Sequence, residues 1–342
     1  MATQANTMVP LVGSDTEIMR TVTNIITMID LTQTPIISSI PKTGMTRRVG
    51  TKIQYQQDKL KKVTYTSKPY GDKEVIRARN KPSIRHVHME TFHDAFSLSE
   101  ESIATQYYGI SNRWAYENRK HYLEMITAVE RHFLTANVGG QAASAANGNK
   151  ATTPMLESLI STNSVLGGVD NNATRGGWDA ATSEHTSRTR AAGNNQKVYA
   201  ITDLEDLALD IWEGQDIPSQ ARTVLMSRSI KEKHDSLGPA RTLGDYRQMV
   251  QPGSMPSITT SVSTLHLLNG EALNFVPTKH MKDSKNVFLL NLKRLRILYY
   301  YWNRTKPLGA TGVSRELLRW FTWTVTYEQE AGAGALLDRK AA

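Results

Sequence analysis

His86, His88 and His93 are the residues of this 342-residue chain whose type and spacing come closest to metal chemistry. Two imidazoles at i, i+2 on an extended segment share a face, and a strand can offer them to one cation. No third ligand stands at a recognisable spacing and no HExxH helix is present, so the competing reading is a histidine-lined strand face at a contact. A second reactive set is the group Lys59, Lys61 and Lys62 with Arg77 and Arg79. Cations of this kind can pair with carboxylates, but no partner is marked in the sequence. Ser-His-Asp order, GxSxG, a phosphate loop and paired catalytic carboxylates are missing. Cysteine is absent, which removes disulfides, thiol nucleophiles and thiolate-held metal. The expectation is a protein with no catalytic residues, no metal and no cofactor.

The cations are unevenly placed. Formal charge is +9, yet residues 42–85 alone carry +10 and the remainder −1. Such a basic arm is expected to touch something acidic. The start, MATQANTMVP, shows no basic region followed by an apolar run. The most apolar early stretch, 21–40, is interrupted by Asn24, Asp30, Gln33 and Pro35. Neither a signal peptide nor a membrane span is expected.

The elements that must carry these residues centre on 111–137, read as one helix. Ser111 or Asn112 caps it, Ala115, Tyr122, Ile126, Val129 and Phe133 form its apolar stripe, and Gly139-Gly140 follows its end. A helix of that length runs roughly 40 Å, too long for one compact core, so it reads as a spine. Before it lie an amphipathic helix starting near Ser14 and a basic, core-poor ribbon over 48–88, whose short strands need an outside surface to lie on. A single strand is expected over Ile84–Leu98. Residues 138–196, rich in Gly, Ala, Ser, Thr and Asn and interrupted by one apolar helix candidate over Pro154–Ile160, read as a flexible excursion. From Lys197 an α/β lobe begins. A Thr202/Glu205 capping box opens its first helix, Ser227 or Ser229 caps its second, and Gly238-Pro239 ends that one. Phe321, Trp323, Val325 and Tyr327 alternate with threonines, and with a strand over Ile297–Trp302 they need the spine as an apolar partner. AGAGALLDRKAA reads as a tail.

Several short motifs stand in one order along the chain: Thr34-Pro35-Ile36-Ile37, Asp58 with Leu60, and Leu98-Ser99 before Tyr108-Gly109-Ile110. Val129-Glu130, Phe133-Leu134, Asn137, Thr311-Gly312 and Tyr327-Glu328-Gln329-Glu330-Ala331 follow. With the arm, ribbon, spine, lobe and closing strands, the chain resembles the major capsid proteins of tailed bacteriophages, the Hong Kong 97-type fold. The resemblance implies an α+β chain with an N-terminal arm over 1–47, an extended two-stranded loop over 48–88, and a peripheral domain over 89–196. It further implies an axial domain over 197–284 and a peripheral return with tail over 285–342. It implies self-assembly as hexamers and pentamers into an icosahedral virion shell, built in the host cytoplasm, with a portal protein and packaged double-stranded DNA held without sequence specificity. About 30 residues precede the arm's entry, too few for a fused scaffolding domain, so a separate scaffolding protein is expected.

The expected inter-subunit contact joins Lys59, Lys61, Lys62, Arg77 and Arg79 of one copy to Glu117, Glu124 and Glu130 on the spine of another. Two other readings stand beside it. An encapsulin-like nanocompartment shell shares the fold, and a basic-arm nucleic-acid-binding protein belongs to another class and binds DNA with a steep salt slope.

Overall fold

The computed structural model describes residues 34–45, 52–58, 70–71, 81–105, 110–167, 174–182, 184–191, 196–213, 223–242, 264–266, 272–282, 284–308, 314–326 and 333–341. The early amphipathic helix expected near Ser14 lies outside them. Two short helices, α1 (Pro35–Ser39) and α2 (Glu100–Ala104), precede the spine, α3 (Arg113–Thr135). Asn112 caps α3 by accepting the Ala115 N–H at 3.0 Å, so the expected start holds to within two residues. Its 23 residues span roughly 35 Å. Burial begins only at His121 and continues through Met125, Ile126, Val129, Phe133 and Leu134. Ala115, expected on the stripe, is exposed.

The spine packs on a four-stranded sheet ordered β1 (Lys42–Gly44), β13 (Arg296–Leu308), β14 (Ser314–Thr326), β4 (Glu90–Ser99). Phe321, Trp323 and Val325 share one core with Met125, Val129 and Phe133, as their alternation predicts. Phe133 meets Trp323 edge-on at 6.4 Å between ring centroids. Fully burying a side chain such as Phe or Val contributes roughly 1.5–3 kcal/mol, so this contact fixes helix to sheet. Thr324 faces the other way and bonds Thr153 at 2.6 Å. The strand expected over Ile84–Leu98 is two, β3 (Ser83–His88) and β4, parted at Met89.

The second sheet is ordered β10 (Thr264–His266), β11 (Ala272–Pro277), β9 (Thr223–Met226), β12 (Val287–Leu290), β15 (Gly334–Leu337), β5 (Ser164–Leu166). Its central strands are buried on both faces, and they alternate between two cores. Leu225, Phe288, Leu290, Ala335 and Leu337 face the core of the spine. Val224, Met226, Val287, Leu289 and Leu336 face the core under α5 (Ile201–Glu213). Continuous apolar runs are what a doubly covered strand requires. The boundary expected at residue 284 therefore falls inside this sheet, because β12 and β15 come from the chain beyond it.

The excursion expected over 138–196 is corrected over its described residues. Its helix α4 (Leu156–Leu159) and Met155 are fully buried in the spine's core. A hairpin of β6 (Gly177–Asp179) and β7 (Glu184–Thr186) packs beside it. Gly139, past the spine, lies so close to this hairpin that a Cβ there would sit 2.3 Å from the His185 carbonyl oxygen, which explains the glycine. Thr202 falls inside α5 rather than capping it, and α6 (Arg228–Thr242) runs through Gly238-Pro239 instead of ending there. Proline lacks one backbone donor, which disfavours a helix interior without excluding it. Two short parallel strands, β8 (Lys197–Val198) and β16 (Arg339–Lys340), close the chain. Among the described residues no helix is long and apolar enough to cross a membrane.

Candidate assembly interface

β3 pairs with β2 (Lys52–Gln57) as an antiparallel ribbon, in register from Lys52 opposite His88 to Gln57 opposite Ser83. Burial falls along β3 from root to tip, while β2 alternates between exposed and intermediate from Lys52 to Gln56. Val87 and His88 at the root are buried, Arg85 and His86 are intermediate, and Ile84 is 51% exposed. Tyr70, midway along the connecting segment, is fully exposed. The ribbon thus leaves the body of its own chain while carrying apolar side chains. A two-stranded hairpin with one bare side is marginal alone.

Lys59, Lys61, Lys62, Arg77 and Arg79 lie outside the described residues. The spine acids divide. Glu117 is half-buried near the free end of the helix. Glu124, whose side chain is 59% exposed, stands 3.8 Å from Lys120 one turn away. Glu130 is corrected as an inter-subunit contact, because it is wholly buried. One carboxylate oxygen accepts the Ile37 N–H at 3.1 Å and the other lies 3.7 Å from His280 Nε2. Burial raises its pKa, opposed by the Ile37 N–H and by His280. Glu130 holds α1 against the spine, and no ribbon from outside can reach it.

The histidines of the opening reading separate as well. His93 is exposed on β4. His86 and His88 sit at the ribbon's root, facing the β6–β7 hairpin: His86 stacks near Trp178 with centroids 5.8 Å apart, and His88 Nε2 lies 3.5 Å from Glu184 Oε1. Among the described residues no group of three or more His, Asp or Glu side chains could hold a metal ion.

The residues that sequence reasoning missed form a buried clasp. Arg188 donates from Nε to Glu157 at 2.6 Å, from Nη1 to Asp338 at 2.6 Å, and from Nη2 to Asp338 and Asn286 at 3.0 Å each. Asn137, at the end of the spine, accepts the Arg188 N–H at 3.1 Å and donates to its carbonyl at 2.6 Å. Burial by itself lowers the guanidinium pKa, but Asp338 and Glu157 outweigh it and hold Arg188 above its ordinary value. Beside it Arg339, fully buried, donates to Asp203 of α5 at 2.7 Å. The expected C-terminal tail is therefore a sheet strand followed by a charged clasp that ties both cores together. The only sequence signal was an acid-base pair, Asp338-Arg339, directly after the apolar Ala335-Leu336-Leu337.

A long helix on a sheet, a second doubly covered sheet and an outgoing ribbon match known shells. The capsid asymmetric unit of cyanophage A-1(L) superposes with a TM-score of 0.63 at 12% identity, over 95% of this chain and 98% of that one. The capsid of Myoviridae phage XM1 gives 0.53 at 12% identity over 93% and 96%. The holo-SrpI encapsulin complex from Synechococcus elongatus PCC 7942 gives 0.52 at 11% over 93% and 92%. At such identities these likenesses show the fold, which is the Hong Kong 97-type. The SU10 major capsid protein family model matches residues 1–340. The chain belongs to the SU10 major capsid protein family. No curated protein matches it. As a member of that family it is a phage head shell protein and a component of the virion capsid, and the encapsulin is a relative in fold.

Proposed function

We propose that copies of this chain assemble as hexamers and pentamers into a closed icosahedral head, each copy laying its 48–88 ribbon over a neighbour. The ribbon's loss of burial from Val87 to Ile84 carries this reading, since an apolar and basic hairpin leaving its own body needs a surface elsewhere. The basic residues Lys59, Lys61, Lys62, Arg77 and Arg79 pair with acids of the adjacent copy, Glu117 and Glu124 being the spine carboxylates within reach of solvent. Each such exposed pair contributes ~0.2–1 kcal/mol, so the contact acts through repetition around a closed shell. Residues 89–196 with 285–342 serve as the peripheral domain and 197–284 as most of the axial domain around the symmetry centres. The lumen holds double-stranded DNA without sequence specificity, a portal protein occupies one vertex, and a separate scaffolding protein guides assembly in the host cytoplasm.

Cryo-electron microscopy of the expressed chain, alone and with its scaffolding protein, tests this. Closed shells with the ribbon lying across an adjacent copy are expected. A monomer whose ribbon folds back on its own body, with no symmetric contact, would overturn it.

A further inference from the structure

The ribbon's root holds a group of side chains that shell geometry alone does not explain. Trp178 of the β6–β7 hairpin sits between His86 of the ribbon, 5.8 Å away, and His185 of its own hairpin, 5.3 Å away and edge-on. The Arg85 guanidinium lies 5.9 Å from the Trp178 ring centre. His88 and His185 are 3% and 1% exposed. No ring nitrogen of His88 or His185 forms a well-made hydrogen bond, the nearest side-chain acceptor to His88 being Glu184 Oε1 at 3.5 Å. The hairpin itself is anchored to the body through the Gly140–His185 bridge and the Ala142 N–H donated to Glu184 at 3.2 Å. The ribbon is thus the part free to part from it.

We propose that this root is a pH-gated hinge: acid charges the buried imidazoles of His88 and His185 and releases the ribbon from the β6–β7 hairpin. Docked, these rings have almost no water and little hydrogen bonding to stabilise a charge. Lys52 of β2 stands close enough to His86 and His88 to oppose protonation, and Arg85 does the same to His185. Glu184 favours it at His88, although that carboxylate is already engaged by the Ala142 N–H at 3.2 Å. The Ser158 backbone favours it weakly at His185. Burial leads in lowering all three pKa values, and it takes His185 down to about 4. A depressed histidine pKa means that docking is undisturbed above the free value near 6.5 and weakens as pH falls from there toward about 4. A histidine held in this way makes opening up to about tenfold easier per pH unit between its free and docked values.

Amide hydrogen exchange of the unassembled full-length chain, corrected for intrinsic rates, reads the hinge directly. Because no shell is needed, its outcome is separate from that of the assembly reading. Between about pH 6.5 and 4.5 the opening of residues 84–88 should rise roughly tenfold or more per unit, while residues 287–290 of the central sheet stay closed. The H88Q/H185Q double variant should flatten that slope. Glu184→Gln, a milder change at a part-exposed side chain, should deepen the loss at the acid end of the range, because His88 then gains less on charging. A slope near zero in the unmodified chain, the same slope in the double variant, an E184Q profile superimposable on that of the unmodified chain, or the central sheet opening in step with the ribbon would each overturn the hinge.

Discussion

Arg188 and the ribbon are two ways in which one basic chain disposes of its charge. Arg188 is enclosed, its side chain 1% exposed, and every carboxylate it needs comes from its own chain. The ribbon goes the other way: Lys52, Lys81 and Ile84 are exposed, and burial along β3 fades from His88 to Ser83. A buried cation without a partner costs several kcal/mol, so the fold had to bring Glu157 and Asp338 together across 31 and 150 residues. A solvated cation costs little to leave unpaired, which frees it to recognise another molecule. Charge inside this subunit therefore closes the fold, and charge outside it is available for assembly.

The largest effect should follow from opening the enclosed side of that contrast. Arg188→Met leaves Glu157 and Asp338 buried with too little positive charge between them, and should cost the subunit roughly 3–5 kcal/mol, read as a lowered urea midpoint of the unassembled chain. A loss below about 1 kcal/mol would show that the clasp is relaxed by water and holds nothing.

Glu130 tests the same rule with the opposite sign of charge. Glu130→Ala strands the Ile37 N–H inside the protein and should cost roughly 1–3 kcal/mol. Glu130→Gln keeps an acceptor there and isolates the charge. Burial raises the Glu130 pKa above the unfolded carboxylate value. Between those two values the folded chain holds the extra proton, so the native protein loses stability as pH rises through the window, and the amide variant does not. Denaturation midpoints of the two proteins should diverge in favour of Glu130→Gln on going from acid to neutral pH. Parallel curves would mean that Glu130 is effectively solvated.

Why one of these regions was legible in the sequence and the other was not follows from where their signals lie. The spine and the final strand declare themselves through local period: Ile126, Val129 and Phe133 on one, Phe321, Trp323 and Val325 on the other. The ribbon declares itself through charge density. The clasp has no such period, because Glu157, Arg188, Asn286 and Asp338 lie on four separated segments and each looks ordinary alone. β15 escaped because Gly334-Ala335-Leu336-Leu337 is covered on both faces, which erases the alternation by which a strand is recognised. Within 138–191 the apolar run 154–160 announced the helix α4, but its burial and the packing around it escaped because small residues read as loop, whereas here Gly139 and Gly140 are small so that neighbouring backbone and Pro154 can come close. Glu130 was misplaced because its sequence neighbours cannot tell an outward acid from one turned toward Ile37.

Between core and ribbon stands the cap of the spine. Asn112→Ala should cost about 1 kcal/mol, since it frees the Ala115 N–H at an end where water can partly replace the lost bond. Hydrogen exchange would place the change in the first turn of α3 and leave Val129 to Leu134 protected. A change spread along the whole helix would mean that the spine folds as one unit with its exposed start.

The smallest effect on the subunit should come from the ribbon, and it is the one that separates folding from assembly. Reversing Lys59, Lys61 and Lys62 to Glu adds no buried charge if these side chains face outward, so the urea midpoint should move by no more than about 0.5 kcal/mol. The same change alters every copy of the contact in a shell. Each lost pair is worth ~0.2–1 kcal/mol, and the reversal adds repulsion where the partner is acidic, so particle yield should fall and the salt tolerance of the remaining particles should change. A matching reversal of Glu117 and Glu124 to Lys in the same chain should recover part of that yield if the spine is the surface touched. Loss of subunit stability on reversal would instead place these lysines against their own body, and the distinction between an enclosed and an outward charge would fail for them.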